Sequence, residues 1–264
     1  MDAAEIDRAA GLLCRNRLAP GPFDGLPAPC RPGTEADGYA IQAALARHLG
    51  DAGLGPPAGA KIGCTTPVMQ AFMKIGSPCA GTMYHGGLRH GHGALRHRDF
   101  HHVGVECEIA VRLAADLPPA VAPYRRDDVA PAVGACMAAI EIVDDRYRDF
   151  RSLDVATLIA DDFFHAGAVL GAPVSDWRGL DLAGARGGMT INGEPVGTGH
   201  GADIMGHPFE ALAWLANAQG LQNRRLAADA VILLGSVVET RWVTAGDTVE
   251  IAVDGLGTAT AIFA

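Results

Sequence analysis

Hydrophobic positions recur at two different periods along this chain, and the period changes near residue 60. Ile6, Ala9, Ala10 and Leu13 fall at helical spacing within residues 1–18, which predicts an amphipathic helix. Residues 19–33 are rich in Pro and Gly and read as a connector. Thr34 then stands as the N-cap of a second helix that carries Tyr39, Ile41, Ala44 and Leu45 to about Leu49. Gly50 to Gly59 reads as a loop. Residues 1–58 are therefore expected to form a helical preface without a chemical motif, and residues 59–264 a main domain that holds the candidate chemistry.

Beyond residue 60 the pattern turns towards strands. Ala60 to Thr65 predicts a short strand that carries Lys61, and Thr66-Pro67 opens a helix through Val68, Phe72 and Met73, with Pro at its first position. Gly76 to Tyr84 reads as a loop, and the histidine-rich stretch His85 to His102 as a solvated turn. His90-x-His92 has the spacing of a metal pair but no Cys or carboxylate beside it. Val105 to Val111 reads as a strand, Val129 to Met137 as a helix, and Cys136 to Val143 as an apolar strand containing Glu141. The patch Asp144 to Asp149 reads as paired surface charges, and a helix near Leu153–Ile159 leads to Ala160-Asp161-Asp162-Phe163-Phe164-His165. Asn192-Gly193 marks a hairpin, His207-Pro208 opens an amphipathic helix, and Ala230 to Leu234 is a buried strand ended by Gly235-Ser236. Because the late strands are joined locally, the expected class is α+β, a mixed β-roll rather than a doubly wound sheet.

Composition narrows the field of functions. The chain has 264 residues, 49% of them hydrophobic, which is enough for a large core. A net charge of −9 with no basic run argues against nucleic acid as a partner. No apolar stretch approaches the roughly 20 residues that span a bilayer, and the N-terminus lacks the pattern of a signal peptide, so a cytoplasmic location is expected. The six cysteines show no CxxC spacing and read as buried thiols. Only Lys61 and Lys74 are lysines, which singles out the ammonium between Gly59 and Gly63.

The candidate chemistry centres on Val105 to Val111. Strand side chains alternate, so Glu106 and Glu108 share one face roughly 7 Å apart. That pattern fits a solvent-facing edge with two ordinary acids, and it equally fits two inward carboxylates that need a cation or a proton. Glu141, in a second apolar run, favours the inward reading. Three glutamates on two buried strands form an all-oxygen site for a hard divalent cation such as Mg²⁺ or Mn²⁺. No GxGxxG beside a βαβ unit, P-loop or GxSxG elbow is present.

Taken together, these motifs resemble the fumarylacetoacetate hydrolase superfamily, in its 2-keto-4-pentenoate hydratase and 4-oxalocrotonate decarboxylase branch. The resemblance runs from about residue 35 to the end. It rests on Lys61-Ile62-Gly63 before a Thr-Pro helix start, Glu106-x-Glu108-Ile109-Ala110, Glu141 after an apolar run, Ala160-Asp161, Gly206-His207-Pro208 with Trp214-Leu215-Ala216, and Ala245-Gly246-Asp247. It implies a mixed β-roll whose Mg²⁺ or Mn²⁺ is held by Glu106, Glu108 and Glu141. It further implies a small-molecule 2-keto acid, or its enol, as ligand, Lys61 as a positive donor near the keto oxygen, and a homo-oligomer.

Two departures stand out. Hydratases of this family carry a proton-transferring aspartate after the proline in the segment that here reads Ser77-Pro78-Cys79-Ala80-Gly81, so Cys79 takes that place. Small polar residues usually follow Ala-Asp, whereas this chain has Asp162-Phe163-Phe164-His165, which offers Asp162 or His165 as a replacement acid. The candidate catalytic set is thus Lys61, Cys79, Asp161 and His165. The expected activity is a metal-dependent lyase adding water to a 2-hydroxy-2,4-dienoate (a 2-keto-4-enoate) through an enolate. The alternatives are decarboxylation of a 2-keto diacid, C–C hydrolysis of an acylpyruvate, or a non-catalytic 2-keto acid binder or partner subunit.

Overall fold

The computed structural model describes residues 1–19, 21–221 and 224–264. Two helices come first, α1 (Ala3–Leu18) and α2 (Glu35–Leu49). Each begins with a capping box, in which Asp2 and Glu5 satisfy each other's backbone N–H groups and Thr34 and Asp37 do the same. Then follow β1 (Pro57–Gly63), α3 (Pro67–Met73), β2 (Cys79–Tyr84), β3 (Leu88–His90), β4 (His92–Leu95) and β5 (Val103–Leu113). The next elements are α4 (Arg126–Val129), β6 (Val133–Asp144), α5 (Val155–Ala160), β7 (His165–Leu170), β8 (Arg186–Ile191) and β9 (Glu194–His200). The chain closes with α6 (Pro208–Leu221), β10 (Val231–Trp242), β11 (Thr248–Val253) and β12 (Gly257–Phe263). No helix among the described residues is long and apolar enough to cross a membrane.

The strands form two mixed sheets, ordered β2-β1-β10-β5-β6-β7-β3 and β4-β12-β11-β8-β9. Between them lies the main core. Val105, Cys107, Ile109 and Val111 from one face of β5 meet Met189, Val249, Ile251 and Phe263 of the second sheet. The opposite face of β5 and β6 is enclosed by the first sheet's own curl, because Met83 of β2, Ala168 and Leu170 of β7 and Leu233 of β10 join Ala110, Met137 and Ala139 in one buried cluster. Glu106, Glu108 and Glu141 fall in step with Ala110, Met137 and Ala139 along the two strands and therefore share the enclosed face. The architecture is the expected α+β roll, and Cys107 points into the main core.

The N-terminal helices cover one side of the roll. Leu13, Ile41, Leu45 and Leu49 form a third core that reaches Tyr84 of β2 and Ala160 of α5. Gln42 secures this layer with its buried amide, which donates to Ala80 O at 2.9 Å and Ile159 O at 2.8 Å. Gly38 lets α2 approach α5 closely, since a Cβ there would lie 2.5 Å from Ala156 O.

Several expectations are corrected. Val129 to Met137 is not a helix: Pro131 follows the single turn of α4, and β6 starts at Val133. This strand is buried on both faces, so its sequence lacks the alternation that would have announced it. Cys79 to Tyr84 is strand β2 rather than a loop, paired antiparallel with β1. His85 to His102 contains β3 and β4, which flank Gly91 and enter different sheets, and His90 and His92 are both exposed. Gly235-Ser236 lies inside β10, where the pairing with β5 shifts register. The patch at 144–149 is not a surface cluster, because Asp144, Arg146 and Tyr147 are buried. Asn192 (φ 53°) and Gly193 (φ 83°) do form the hairpin turn between β8 and β9.

Replacing Gly38 by Ala sets two effects against each other. Helix propensity favours Ala by about 1 kcal/mol, while the clash is with backbone that cannot rotate away and costs about 1–3 kcal/mol or more. Gly38→Ala is therefore expected to lower the urea midpoint rather than raise it; an unchanged or higher midpoint would show that α2 and α5 separate freely.

Candidate functional site

The β5–β6 ladder places Glu106 directly opposite Glu141, and Glu108 follows two residues along the same face. One carboxylate oxygen from each of the three lies within 4.8 Å of the others. Glu108 and Glu141 are buried, and Glu106 is partly exposed, which marks the open side of the cluster. Each acid has its own support. The Gly235 backbone N–H, at the irregular part of β10, donates to Glu108 Oε2 at 3.0 Å. Thr240 of the same strand donates its hydroxyl to Glu106 Oε1. His165, at the start of β7, brings Nδ1 within 2.8 Å of Glu141 Oε1, and since a carboxylate only accepts, that nitrogen carries the hydrogen.

Lys61 enters from β1 and is almost fully buried. Its Nζ lies 3.3 Å from Glu141 Oε1 and donates to the Phe163 carbonyl at 2.9 Å. Burial works against the ammonium, but Glu141, Glu106 and Glu108 outweigh it and raise its pKa. The carboxylates divide in response. Burial, then repulsion from Glu141, pushes Glu106 up to about 7. Glu108 is raised further by burial, Glu141 and Glu106. Burial opposes ionisation of Glu141 too, yet Lys61 and His165 bring it down to about 2. Two of the three acids thus hold protons more tightly than free carboxyls do, because burial and mutual repulsion both disfavour their charge. The donor set fits a hard divalent ion: three carboxylates converge, and one side is open to further oxygen ligands.

Asp161 and Asp162 lie beside this cluster rather than in it. Asp161 accepts from Arg17 Nε at 2.7 Å, from Arg146 Nη2 at 2.9 Å and from Tyr147 OH at 3.2 Å. Burial disfavours its charge, but Arg146 and Arg17 hold it below the usual carboxylate range. Asp162 accepts from the Thr82 N–H at 2.7 Å and Tyr84 OH at 3.2 Å, and pairs with Arg17 Nη1 at 2.9 Å. Arg17 Nη2 is buried with no partner among the described residues. Between these acids and His165 the backbone does something rare. Asp162, Phe163 and Phe164 all have positive φ, at 50°, 50° and 68°. Consecutive left-handed residues that are not glycine cost about 1–2 kcal/mol each. The turn is accommodated by Gly81 of β2, where a Cβ would sit 2.7 Å from Asp162 O.

Cys79, at the start of β2, is buried next to Cys64, which follows β1 with φ 57°. The neighbouring Cys79 lowers the pKa of Cys64, and Cys64 together with burial raises that of Cys79. The fold thus gathers Lys61 and His165 at the acid cluster, sets Asp161 one layer away, and pairs Cys79 with a second thiol.

Sequence reasoning passed over Arg17, Arg146, Tyr147 and the β10 donors. A signal for Arg17 existed. It falls four residues after Leu13, on the stripe that α1 turns inward, and a charged residue on such a stripe needs a buried partner.

Comparison with known proteins gives this geometry a context. A 2-hydroxyhexa-2,4-dienoate hydratase of Comamonas testosteroni is 34% identical over 204 residues, covering 76% of this chain and 75% of that protein. A 4-oxalocrotonate decarboxylase of Pseudomonas putida is 29% identical over 231 residues, covering 87% and 86%. The structure of 4-oxalocrotonate decarboxylase from Pseudomonas putida G7, complexed with magnesium and adipate, matches with a TM-score of 0.92 at 25% identity, over 100% of this chain and 99% of that one. Fumarylpyruvate hydrolase from Pseudomonas aeruginosa, in complex with Mn²⁺ and pyruvate, shares the fold at a TM-score of 0.61 and 13% identity, over 78% and 89%. The family model described as Fumarylacetoacetate (FAA) hydrolase C-terminal matches residues 55–263. Over a span that includes all three clustered glutamates and Lys61, the chain therefore belongs to the fumarylacetoacetate hydrolase family.

Proposed function

We propose that this protein is a divalent-metal-dependent lyase that adds water to a 2-hydroxy-2,4-dienoate or its 2-keto-4-enoate tautomer. The observation that carries this reading is the Lys61 ammonium set 3.3 Å from Glu141, beside three convergent carboxylates. The relative named as a 2-hydroxyhexa-2,4-dienoate hydratase supports the substrate class. In this reading Glu106, Glu108 and Glu141 hold Mg²⁺ or Mn²⁺, which when bound supplies Lewis acidity to a chelating 2-keto acid. Lys61 stays protonated and places a fixed positive donor where negative charge gathers on the keto oxygen. His165 orients Glu141, and Asp161 supports the turn that carries His165. The Cys79 thiol, its pKa raised by Cys64 and by burial, is poorly matched to either giving or taking a proton at neutral pH. A cytoplasmic location and a homo-oligomeric state belong to the same proposal, and six buried free thiols suit a reducing compartment.

A second reading, decarboxylation of a 2-keto diacid, is favoured by the full-length likeness to 4-oxalocrotonate decarboxylase. Loss of CO₂ generates an enolate without a base, and the retained proton on Cys79 is no handicap there.

The direct test is loss of diene absorbance from 2-hydroxypenta-2,4-dienoate with Mg²⁺- or Mn²⁺-loaded protein, with products read by NMR. A 4-hydroxy-2-keto acid is expected, and EDTA should abolish its formation. An unchanged diene alongside CO₂ release from a 2-keto diacid would transfer the assignment to the decarboxylase, and pyruvate from an acylpyruvate would transfer it to C–C hydrolysis. Metal binding without any turnover would leave a binding subunit.

Lys61→Met should lower kcat by about 10²–10³-fold, the usual effect of losing one oxyanion donor. Mn²⁺ affinity should stay the same or rise, because a buried positive charge is removed. Calorimetry beside the kinetics checks this, and a joint loss of both would place Lys61 in metal retention instead.

Mn²⁺ affinity should climb as pH rises through about 7. The Glu106 carboxyl is raised to about 7 in the metal-free protein, so below that pH a proton must leave before the oxygen can ligate. Titrations in buffers of different ionisation enthalpy should show proton release whose Glu106 share fades above that pH, while the share from Glu108, whose carboxyl is also raised well above its ordinary value, persists. Affinity that is flat from pH 6 to 8 would remove Glu106 from the ligand set.

A further inference from the structure

Arg17 lies in the last turn of α1, far in sequence from every residue of the acid cluster. Its guanidinium nevertheless spans two consecutive carboxylates, with Nε on Asp161 and Nη1 on Asp162. Arg146 reaches Asp161 but not Asp162, and the Thr82 N–H and Tyr84 OH reach Asp162 but not Asp161. Arg17 is thus the one group among the described residues that pairs with both carboxylates. The second of them opens the left-handed run Asp162–Phe164, whose Phe163 carbonyl accepts from Lys61 and which leads to His165, the partner of Glu141. A backbone in this region persists only when its surroundings over-determine it.

We propose that Arg17 is a positioning residue for the Lys61–Glu141 site. By clamping Asp161 to Asp162, it fixes the left-handed turn that presents the Phe163 carbonyl to Lys61 and the His165 ring to Glu141. The planar fork of a guanidinium is what allows one side chain to join two acids, and an ammonium has no such geometry. Leu13, one turn earlier on the same helix face, packs in the core of the helix layer and touches neither carboxylate. Through Arg17 the N-terminal helix layer is part of the site's support, not a separate cover. The coupling to metal rests on the reading of the three glutamates as its ligands; the clamp itself does not.

The rival account is that Arg17 only fastens α1 to the roll. Leu13→Ala separates the two, because it loosens the same helix without touching Asp161 or Asp162. Full-length Arg17→Gln, Arg17→Lys and Leu13→Ala proteins would be compared by hydrogen exchange over residues 160–166 without metal, and by Mn²⁺ titration. Arg17→Gln should speed exchange in that segment about tenfold and weaken Mn²⁺ binding about tenfold. Arg17→Lys should fall between it and the wild type. Leu13→Ala should lose as much thermal stability while keeping both readouts within about twofold of wild type. Equal changes in Leu13→Ala and Arg17→Gln, or none in Arg17→Gln, would overturn the proposal. If Arg17→Gln fails to fold, Arg17→Lys against Leu13→Ala makes the same comparison. Wild-type protein that binds no Mn²⁺ would remove the metal reading alone, and the exchange data would then decide the clamp.

Discussion

Glu106 faces Glu141 across one rung of the β5–β6 ladder, and most of the site follows from keeping those two acids and Glu108 together out of water. At separations within 4.8 Å, each ionised pair repels by about 3 kcal/mol or more at an effective dielectric near 20. Lys61, 3.3 Å from Glu141, recovers about 5 kcal/mol on the same scale. One ammonium cannot balance three such repulsions, so the cluster must keep protons or take up a cation of higher charge. That constraint explains why Lys61 is buried, why Glu108 takes a backbone N–H from a register break in β10, and why His165 is turned towards Glu141. A slip of one residue in the β5–β6 register would swap the acids with Val105, Cys107 and Ile140, ruining both the site and the main core.

How much of this was legible in the sequence depended on whether each element showed one face or two. β5 alternates acid and apolar residues, so its inward acids could be read, and Glu141 supplied the third. Lys61 stood out because lysine is so rare in the chain. β6 is buried on both sides, and with its periodicity gone its first residues resembled a helix. The segment Cys79–Tyr84 is small-residue and glycine-containing because Gly81 must make room for Asp162; that same composition resembled a loop. Arg146 and Tyr147 sit in a run of charges that looks solvated until the fold brings Asp161 over it. Charge pairing across more than a hundred residues, as between Arg17 and Asp161, leaves no local trace beyond one misplaced polar residue on an apolar stripe.

The helix layer is joined to the roll by two kinds of contact. Gln42 bridges Ala80 and Ile159 through a neutral amide, a tie indifferent to pH and salt. The Arg17–Asp161–Asp162–Arg146 group is fully ionic, with two carboxylates matched by two guanidiniums, so its burial leaves no net charge inside. The first contact sets where the helices sit, and the second sets how the chain passes from α5 into β7.

The turn after α5 meets Lys61 through a backbone oxygen. The ring of Phe163 is also near the ammonium, with its centroid 5.8 Å from Nζ, but the hydrogen bond belongs to the main chain. A contact of this kind does not depend on which side chain the residue carries, as long as the left-handed backbone is kept. What the Phe163 side chain itself must satisfy is its packing beside Cys64, Cys79 and Leu158, a demand separate from holding the lysine. The fold thus assigns the lysine's anchor to the main chain and the local packing to the side chains, so that each can change without the other.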